Sequence, residues 1–252
     1  MNITAKQFKK LSELVYDACG INLHDGKRQL LQARLAKRLR STGIYSVGEY
    51  VKLLENDDQE LIDFIDAVST NHTFFFREHH HFECIEKCHS KIWCAACSSG
   101  EEPYSIAIHC LEKGFRPSIL ATDLSTKVLR LADRGIYPFE RAKNVSKPIL
   151  KRYFQKGVGK WEGHIRVKDV LKQMVRYERY NLLSDSYPFE EFDLVFCRNV
   201  LIYFDGMVKE KVINKLYNAI KLSGYFVIGG AESLSNIKHR FKYIKPSIYK
   251  KV

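Results

Sequence analysis

The amino-acid sequence predicts an α/β protein in which a small all-helical domain precedes a mainly parallel, doubly wound sheet. Apolar residues recur at helical spacing through about residue 70, and no strand pattern interrupts them. Beyond residue 90, short apolar runs alternate with helical patterns, as expected for the strands and helices of a parallel sheet. Glycines around Trp161 break this alternation and predict a small inserted β-subdomain near 154–173.

The N-terminal domain is predicted to span residues 1–70 and to contain four helices. The first carries Phe8, Leu11 and Val15 on one face and stops at Gly20, and Gly43 ends the second. The apolar positions of the other three helices are Leu31, Leu35 and Leu39, then Tyr50, Val51, Leu53 and Leu54, then Leu61, Ile62, Phe64, Ile65 and Val68.

The rest of the chain divides into a linker at 71–90 and a sheet domain at 91–252. Its predicted strands are Ile92–Ala96, Ser118–Thr122, Val175–Asn181, Leu194–Cys197 and Tyr225–Gly229. The helical patterns between them are Ser105–Leu111, Thr126–Ala132 and Lys209–Ile220. This order predicts that the carboxyl ends of the parallel strands share one edge of the sheet.

Composition and charge narrow the class of protein. No apolar run approaches the roughly 18 residues of a membrane helix, so no membrane insertion is expected. The start of the chain lacks the apolar core of a signal peptide. Seven cysteines without a framework pattern favour reduced thiols and a cytoplasmic location. The net charge of +12 indicates an acidic binding partner. The protein is expected to be a monomer.

The segment from Ile92 to Ile108 reads as a buried strand, a tight turn and a helix. A turn of this kind, at Gly100, usually presents backbone N–H groups to a phosphate. Here Glu101 and Glu102 follow the glycine and would repel a phosphate at contact distance. They suit a ligand that carries positive charge near a ribose, and S-adenosylmethionine has that chemistry.

Polar residues end the other predicted strands. Asp123 lies 23 residues after Gly100, close to the spacing of a ribose-binding carboxylate in nucleoside-binding α/β folds. Asn181 ends a third strand, and Arg198 and Asn199 follow a fourth. An Asn side chain at this edge has both a donor and an acceptor with which to bind adenine. Each residue alone is equally consistent with an ordinary turn.

The segment 69–78, STNHTFFFRE, precedes the sheet and contains three successive phenylalanines. Three adjacent side chains cannot all face one core in regular structure, so the segment is expected to bridge two packed surfaces. Asn71, Thr73 and Arg77 would then be polar groups at an interdomain cleft, where ligands commonly bind. The alternative is an ordinary apolar linker.

Taken in order, the motifs TNHTFFFRE, ACSSGEEPYSIAI, ATDLS, NLL and FCRNVLIYFD resemble the CheR family of chemotaxis receptor glutamate O-methyltransferases. The resemblance extends to GYFVIGGAESL and covers nearly the whole chain. It implies a Rossmann-like S-adenosylmethionine-dependent methyltransferase sheet with a small N-terminal all-helical domain and an inserted β-subdomain. It also implies that the protein methylates glutamate side chains on the cytoplasmic domain of methyl-accepting chemotaxis receptors. The product of the cofactor would be S-adenosylhomocysteine.

The resemblance also assigns roles to individual residues. Glu102 is implied to contact the methionine part of S-adenosylmethionine, Asp123 the ribose, and Asn181 with Leu182 the adenine side. The full set of implied cofactor-binding residues is Asn71, Thr73, Arg77, Glu102, Asp123, Asn181, Leu182, Arg198 and Asn199.

Two of the implied residues are catalytic. Arg77 is expected to hold the incoming carboxylate, and Tyr203 matches a tyrosine that the family places near the transferred methyl. The sequence departs from the family pattern at His72, where glutamate is usual, and at Ala96, where glycine is usual. The segment between FFFRE and IWCAAC is also shorter than usual.

The second predicted helix is strongly basic, although residues 1–70 contain ten basic and ten acidic side chains. Lys27, Arg34, Lys37 and Arg38 are predicted to dock an acidic face of the receptor. From charge alone, a solvated basic face explains these residues equally well.

Three rival functions remain open from the residues. A metal or redox site is suggested by Cys84, Cys88, Cys94 and Cys97, although the spacing matches no standard zinc ribbon and no metal is predicted. A nucleic-acid methyltransferase would share the sheet domain, but aromatic platforms are missing from the basic helix, and no nucleic-acid partner is predicted. A non-catalytic scaffold that binds S-adenosylmethionine is disfavoured by the presence of Arg77 and Tyr203.

Overall fold

The computed structural model describes residues 2–69, 72–184 and 191–252. The described chain forms two compact units. The helical unit consists of residues 2–69 and 203–208, and the sheet unit contains the remainder. Among the described residues, no helix is long and apolar enough to cross a membrane.

The helical unit contains the four helices α1 (Ala5–Cys19), α2 (Arg28–Thr42), α3 (Val47–Asn56) and α4 (Asp58–Val68). Thr4 begins α1 through a capping box, in which its hydroxyl accepts from Gln7 N at 3.2 Å and its own N–H donates to Gln7 Oε1 at 2.9 Å. Gly20 ends this helix with a φ of +74°, a conformation that glycine adopts without a Cβ clash. The helical reading of residues 1–70 therefore agrees with the observed elements.

An ion-pair network fixes one of the basic residues of α2. The Arg38 guanidinium bonds to both carboxylate oxygens of Glu60 and to Asp63 Oδ2 at 3.0 Å. The hydroxyl of the fully buried Tyr50 donates to Glu60 Oε1 at 2.5 Å. Since only 20% of the Arg38 side chain is exposed, it serves to hold α2 against α4. The docking role of Arg38 stays a prediction, although its guanidinium is engaged within the helical unit, whereas Arg34 and Lys37 lie exposed on α2.

In the part of the chain that the structure describes, the sheet unit has ten strands in two sheets. In chain order they are β1 (Lys91–Ala95), β2 (Ser118–Asp123), β3 (Ile136–Pro138), β4 (Phe154–Lys156), β5 (His164–Val167), β6 (Val175–Arg179), β7 (Phe192–Phe196), β8 (Ile220–Val227), β9 (Lys242–Lys245) and β10 (Ile248–Lys250). The larger sheet has the order β6-β2-β1-β7-β8-β10-β9. Its first five strands are parallel, and β10 pairs antiparallel with β8 and β9.

Five further helices follow in the chain. They are α5 (Glu101–Glu112), α6 (Thr126–Arg134), α7 (Lys147–Tyr153), α8 (Asp169–Lys172) and α9 (Gly206–Asn218). Strand β8 begins at Ile220, five residues before the predicted Tyr225, because it continues through an irregularity at Ser223, which has a φ of +65°. The antiparallel pair β9 and β10 was not predicted, because lysines and Pro246 obscure the strand pattern.

A small antiparallel sheet of order β3-β5-β4 forms the β-subdomain. The predicted insertion near 154–173 is too narrow, since it omits β3 and includes the helical turn α8. Gly157 is required in this subdomain, because a Cβ there would lie 2.0 Å from the Trp161 carbonyl oxygen. The sequence pattern located the centre of the subdomain and missed its first strand, which is only three residues long.

The predicted linker at 71–90 is not a free linker. Over its described part, Phe75, Phe82 and Ile85 are buried in the core of the sheet unit. Phe75 packs edge-on against Tyr137 and Phe154, each with ring centroids 5.1 Å apart. This packing fixes the segment that carries Thr73 and Arg77 to the sheet.

Candidate active site

The carboxyl ends of the neighbouring strands β6, β2, β1 and β7 meet at one edge of the sheet. These strands are parallel, so the residues that follow them leave the sheet on the same side. The edge carries the turn 96–100, Asp123, Asn181 and Arg198. The sequence therefore directs the predicted polar residues to one edge through the order of the strands.

The turn after β1 has an unusual backbone. Ala96, Ser98 and Gly100 have φ values of +65°, +50° and +91°, and α5 begins directly after them. A Cβ on Gly100 would lie 2.7 Å from both Ala132 Cβ and Tyr177 Oη. Only glycine fits at this position, which lets the turn approach α6 closely.

Ala96 occupies a left-handed conformation that a side chain disfavours by about 1–2 kcal/mol. Replacing Ala96 by glycine removes this strain and costs about 0.5–1 kcal/mol in unfolded-chain entropy. We therefore expect Ala96→Gly to raise the free energy of unfolding, measured in urea, by about 0.5–1 kcal/mol. The matched change Ala107→Gly inside α5 should lower that free energy by about 1 kcal/mol or more. A glycine at 96 that left stability unchanged or reduced would show that the turn is not strained.

Asp123 ends β2 with its carboxylate held by the backbone. Oδ2 accepts from Ser98 N at 2.9 Å, and Oδ1 accepts from Ser125 N at 3.0 Å. The first bond joins Asp123 to the turn after β1, so the two elements hold one another. A carboxylate can accept about four hydrogen bonds, so its chemistry suits the diol of a ribose.

Asn181 and Leu182 follow β6. Asn181 Oδ1 accepts from Leu183 N at 3.0 Å, so the side chain is fixed by its own turn. Leu182 is buried, with 8% of its surface exposed. The predicted adenine contacts would therefore come from an Asn held in one orientation beside an apolar side chain.

Arg198 is the centre of a buried charge cluster, which was not expected from the sequence. Its Nη1 donates to Glu102 Oε2 at 2.8 Å, and its Nη2 donates to Glu78 Oε2 at 3.0 Å. Nη2 also donates to the Arg77 carbonyl oxygen at 2.6 Å. Only 2% of the Arg198 side chain is exposed. Arg198 thus ties the end of β7 to the first turn of α5 and to the segment before the sheet.

The environment of this cluster affects its carboxylates differently. Burial raises the pKa of Glu102, and the neighbouring Arg198 opposes that rise. Burial also raises the pKa of Glu78, but hydrogen bonds from Arg198 and from Gly230 N outweigh it and hold the pKa below its usual value. Glu78 is therefore the carboxylate that stays ionised most readily.

The segment before the sheet places Arg77 half-buried, with Nη1 donating to the His72 carbonyl oxygen at 2.7 Å. Thr73 is buried at 8% exposure, and its carbonyl oxygen accepts from Arg141 Nη1. Asn71, a predicted cofactor-binding residue, lies outside the described residues. The remaining N–H groups of the Arg77 guanidinium have the fork geometry that suits a carboxylate.

Asn199 has a φ of +60°, and its N–H donates to Glu232 Oε2 at 2.9 Å. The same carboxylate accepts from Gly229 N at 2.6 Å and, through Oε1, from Ile202 N at 3.2 Å. A Cβ on Gly229 would lie 2.4 Å from Asn199 Nδ2, so glycine is needed there. Glu232 therefore fixes the loop after β7.

Tyr203 belongs to the helical unit. Its carbonyl oxygen accepts from Asn22 N at 2.8 Å, and the Lys27 ammonium lies 4.7 Å from the centroid of its ring. Lys27, a predicted docking residue, is therefore partly engaged by this aromatic ring. The catalytic role of Tyr203 stays a prediction.

Sequence reasoning assigned no role to Glu78 or Glu232, although both lie in the quoted motifs. The sequence gives no sign of which carboxylate meets Arg198, because the pairing joins residues more than 90 positions apart. The signal available in the sequence was the position of each residue. Glu78 directly follows Arg77, and Glu232 lies two residues after Gly230.

The cysteines of the CxxC motif are core residues. Cys94 and Cys97 are buried, and burial raises the pKa of both thiols well above the usual value. Metal binding requires the thiolate, which this environment disfavours. Over the described ranges, potential ligand atoms within 4.8 Å of one another occur at Glu86, Cys88 and His89, where His89 Nδ1 already accepts from Glu86 N at 2.9 Å.

Comparison with known families decides the assignment. Residues 6–69 match the all-alpha domain of CheR methyltransferases, and residues 71–250 match the CheR methyltransferase SAM-binding domain. The chain belongs to the CheR methyltransferase family. The predicted family and fold class are thereby confirmed, and the cofactor is S-adenosylmethionine.

Relatives of this CheR-family chain are similar over nearly their whole length. A chemotaxis protein methyltransferase of Borreliella burgdorferi is 38% identical, with 100% of this chain and 96% of that protein covered. The Escherichia coli protein of that name is 38% identical, with 96% and 89% covered, and chemotaxis protein methyltransferase 2 of Pseudomonas aeruginosa is 36% identical, with 98% and 93% covered. The solved structure of N-methyltransferase NodS from Bradyrhizobium japonicum is 15% identical and overlaps with a TM-score of 0.37 over 60% of this chain and 59% of that chain.

The residues at the sheet edge fit S-adenosylmethionine. The Asp123 carboxylate, held at the end of β2 by Ser98 N and Ser125 N, has the acceptor chemistry that ribose hydroxyls require. Glu102, the carboxylate predicted to meet the methionine part, lies in the first turn of α5, and Gly100 keeps the turn before it free of a side chain. Arg198 Nε is buried and has no protein acceptor among the described residues, which marks a polar position that the protein alone leaves unpaired.

Proposed function

We propose that this protein transfers a methyl group from S-adenosylmethionine to glutamate carboxylates on the cytoplasmic domain of methyl-accepting chemotaxis receptors. The observation that carries the proposal is the half-buried Arg77, whose carbonyl oxygen accepts from Arg198 Nη2, so that the Arg77 backbone is fixed beside the Glu102–Arg198 pair. An arginine next to a cofactor site suits a substrate that is itself a carboxylate. The names of the relatives, chemotaxis protein methyltransferases, support the same substrate class.

This methyl transfer requires little acid–base catalysis by the protein. When bound, S-adenosylmethionine supplies an electrophilic methyl group on a sulfonium. A glutamate side chain is already ionised at neutral pH, so it needs no general base before it attacks. The chain's own residues must therefore hold the carboxylate and the cofactor in line and exclude competing nucleophiles. In this proposal Arg77 holds the substrate oxygen, while Asp123 and Glu102 hold the cofactor.

Labelled S-adenosylmethionine tests this function. Purified protein is incubated with a receptor cytoplasmic fragment and, separately, with RNA. We expect label on the receptor that is released as methanol by mild base, as a carboxyl methyl ester requires. Base-stable label on RNA would favour the hypothesis of a nucleic-acid methyltransferase. Binding of S-adenosylmethionine without methyl transfer to receptor or RNA would favour the hypothesis of a non-catalytic scaffold.

The basic helix α2 is proposed to dock the acidic receptor through its exposed positions Arg34 and Lys37. Reversing both to glutamate should raise the apparent Michaelis constant for the receptor roughly tenfold and weaken its salt dependence, because steering charge is lost. Affinity for S-adenosylhomocysteine should not change.

The double variant Lys6→Glu/Lys52→Glu makes the same charge change on exposed positions of α1 and α3 and serves as the control. Equal effects from the two double variants would mean that only net charge matters. An unchanged rate and salt dependence in the Arg34/Lys37 variant would place the docking face within residues 71–252, which contain the remaining 31 basic and 19 acidic residues (41−10 and 29−10).

A further inference from the structure

Arg141 contacts two separate segments of the site through one guanidinium nitrogen. Its Nη1 donates to the Thr73 carbonyl oxygen and to Glu101 Oε1, the latter at 3.3 Å. Thr73 belongs to the segment before the sheet, and Glu101 begins α5 directly after the turn 96–100. Arg141 itself lies between β3 and β4 of the β-subdomain. A side chain from the β-subdomain therefore joins the segment that carries Arg77 to the turn after β1.

The contacts of Arg141 flank the bond that orients the Arg77 side chain. Arg77 Nη1 donates to the His72 carbonyl oxygen at 2.7 Å, one residue before the carbonyl group that Arg141 holds. Farther along the chain, the Phe75 N–H donates to the Arg141 carbonyl oxygen at 3.1 Å. The position of the Arg77 guanidinium therefore depends on a loop, residues 72–77, that the side chain and the backbone of Arg141 fix at two points.

Glu101 binds the Arg141 guanidinium from the side of the turn. The Glu101 side chain is fully buried, and its Oε2 accepts from the Ser99 hydroxyl at 2.7 Å. Burial raises the pKa of Glu101, while the Ser99 hydroxyl and the charge of Arg141 oppose this rise. Removing one partner of a buried ion pair leaves an uncompensated charge, so the loss of Arg141 would disturb the turn as well as the loop.

Tyr137 holds the same turn by an uncharged contact. Its hydroxyl donates to the Ser99 carbonyl oxygen at 2.7 Å, and its ring packs edge-on against Phe75. Tyr137 lies on β3, four residues before Arg141. Because its hydroxyl bonds to the turn while the Arg141 guanidinium bonds to both the turn and the loop, the two residues can be compared directly.

We propose that Arg141 is a positioning residue for methyl transfer, because it holds the loop that carries Arg77 against the turn that is predicted to bind the cofactor. The inference rests on the proposed function, in which Arg77 holds the substrate carboxylate. Arg141 touches neither substrate nor cofactor in this arrangement. Its loss should act on turnover through Arg77 and on cofactor affinity through Glu101, and experiment can separate these two effects.

The variant Arg141→Gln removes the charge that joins the two segments. At saturating S-adenosylmethionine, we expect its single-turnover rate with a receptor fragment to fall roughly tenfold. In protein that already carries Arg77→Ala, the same change should lower the remaining rate by less than about twofold, because the residue through which it acts is gone. Affinity for S-adenosylhomocysteine should fall by the same factor with or without Arg77, since that effect depends on Glu101.

A merely structural role of Arg141 would lower the transfer rate by equal factors in both backgrounds. Tyr137→Phe shows that behaviour for comparison, since it weakens the turn alone. It should weaken S-adenosylhomocysteine, and its effect on the rate should be the same with or without Arg77. Lys143→Gln makes the charge change of Arg141→Gln two residues away, at a side chain that is 64% exposed, and it should change neither rate nor affinity.

Arg141→Lys keeps a positive charge, and one ammonium nitrogen can donate to two oxygens as Arg141 Nη1 does. Its rate should exceed that of Arg141→Gln, and its smaller loss should again vanish without Arg77, so it decides the question if thermal unfolding shows that Arg141→Gln does not fold. Equal losses in both backgrounds would overturn the role of Arg141 alone. Full turnover in Arg77→Ala would overturn the proposed role of Arg77 and this inference with it.

Discussion

Replacing Arg77 by alanine should reduce turnover on the receptor by roughly 10- to 150-fold, because a charge-assisted contact worth about 1.5–3 kcal/mol is lost. Affinity for S-adenosylhomocysteine should change much less, since the proposed partner of Arg77 is the substrate carboxylate. Single-turnover rates with receptor, measured beside the dissociation constant of the cofactor product, separate the two effects.

Arg77→Lys is the matched control for charge. Lysine keeps the positive charge but lacks the planar fork, so its turnover should lie between those of the wild type and the alanine variant. Full turnover in Arg77→Ala would remove this residue from the mechanism. Equal losses in turnover and cofactor affinity would instead assign it to the cofactor, in agreement with its other predicted role.

Replacing Asp123 by alanine should weaken S-adenosylmethionine and S-adenosylhomocysteine alike, by roughly 10- to 150-fold, because both ligands have the ribose diol. The carboxylate also accepts from Ser98 N and Ser125 N, so part of the loss will come from a less ordered turn. Isothermal titration gives the affinity, and thermal unfolding reports whether the variant remains folded.

Asp133→Ala is a suitable control for Asp123, because Asp133 is an exposed carboxylate on the adjacent helix α6. It should leave both affinities unchanged. Cofactor affinity that survived in a folded Asp123→Ala variant would count against the assignment of the whole edge.

Periodic features of the sequence predicted the architecture well. The apolar faces of α1 and α2, the terminating glycines Gly20 and Gly43, and the alternation of strands and helices depend on local chemistry that the sequence displays directly. Strands β9 and β10 were missed because they are short and carry lysines, and what stabilises them is pairing with β8 and not an apolar pattern.

Charged residues were harder to interpret from the sequence. Arg34 and Arg38 look alike in a basic helix, yet Arg34 is exposed while Arg38 pairs with Glu60. The two are four positions apart and lie on the same side of α2, so the helical pattern alone does not distinguish them. Likewise, Arg198 was expected to line the cofactor pocket, and the structure shows that two carboxylates and a carbonyl oxygen occupy its terminal nitrogens. Such pairings join distant segments, and only the folded chain reveals them.

At Ala96, in contrast to these charged residues, the sequence did indicate a feature of the structure. The sequence comparison with the family pattern marked this position as one where glycine is usual, and the φ of +65° supplies the physical reason. The family's preference for glycine therefore indicated the backbone geometry at this position before the structure was known.

Mapping the transferred methyl group tests the central claim most directly. A receptor cytoplasmic fragment is methylated with S-adenosylmethionine, digested, and sequenced by mass spectrometry under mildly acidic conditions that preserve esters. The account predicts a methyl group on glutamate side chains that mild base removes. This methyl group should be absent when those glutamates are replaced by alanine, and it should form far more slowly when Arg77 is replaced by alanine. Methyl groups on lysine or on another base-stable position, or unmodified receptor in the presence of protein that binds S-adenosylmethionine, would contradict the proposed function.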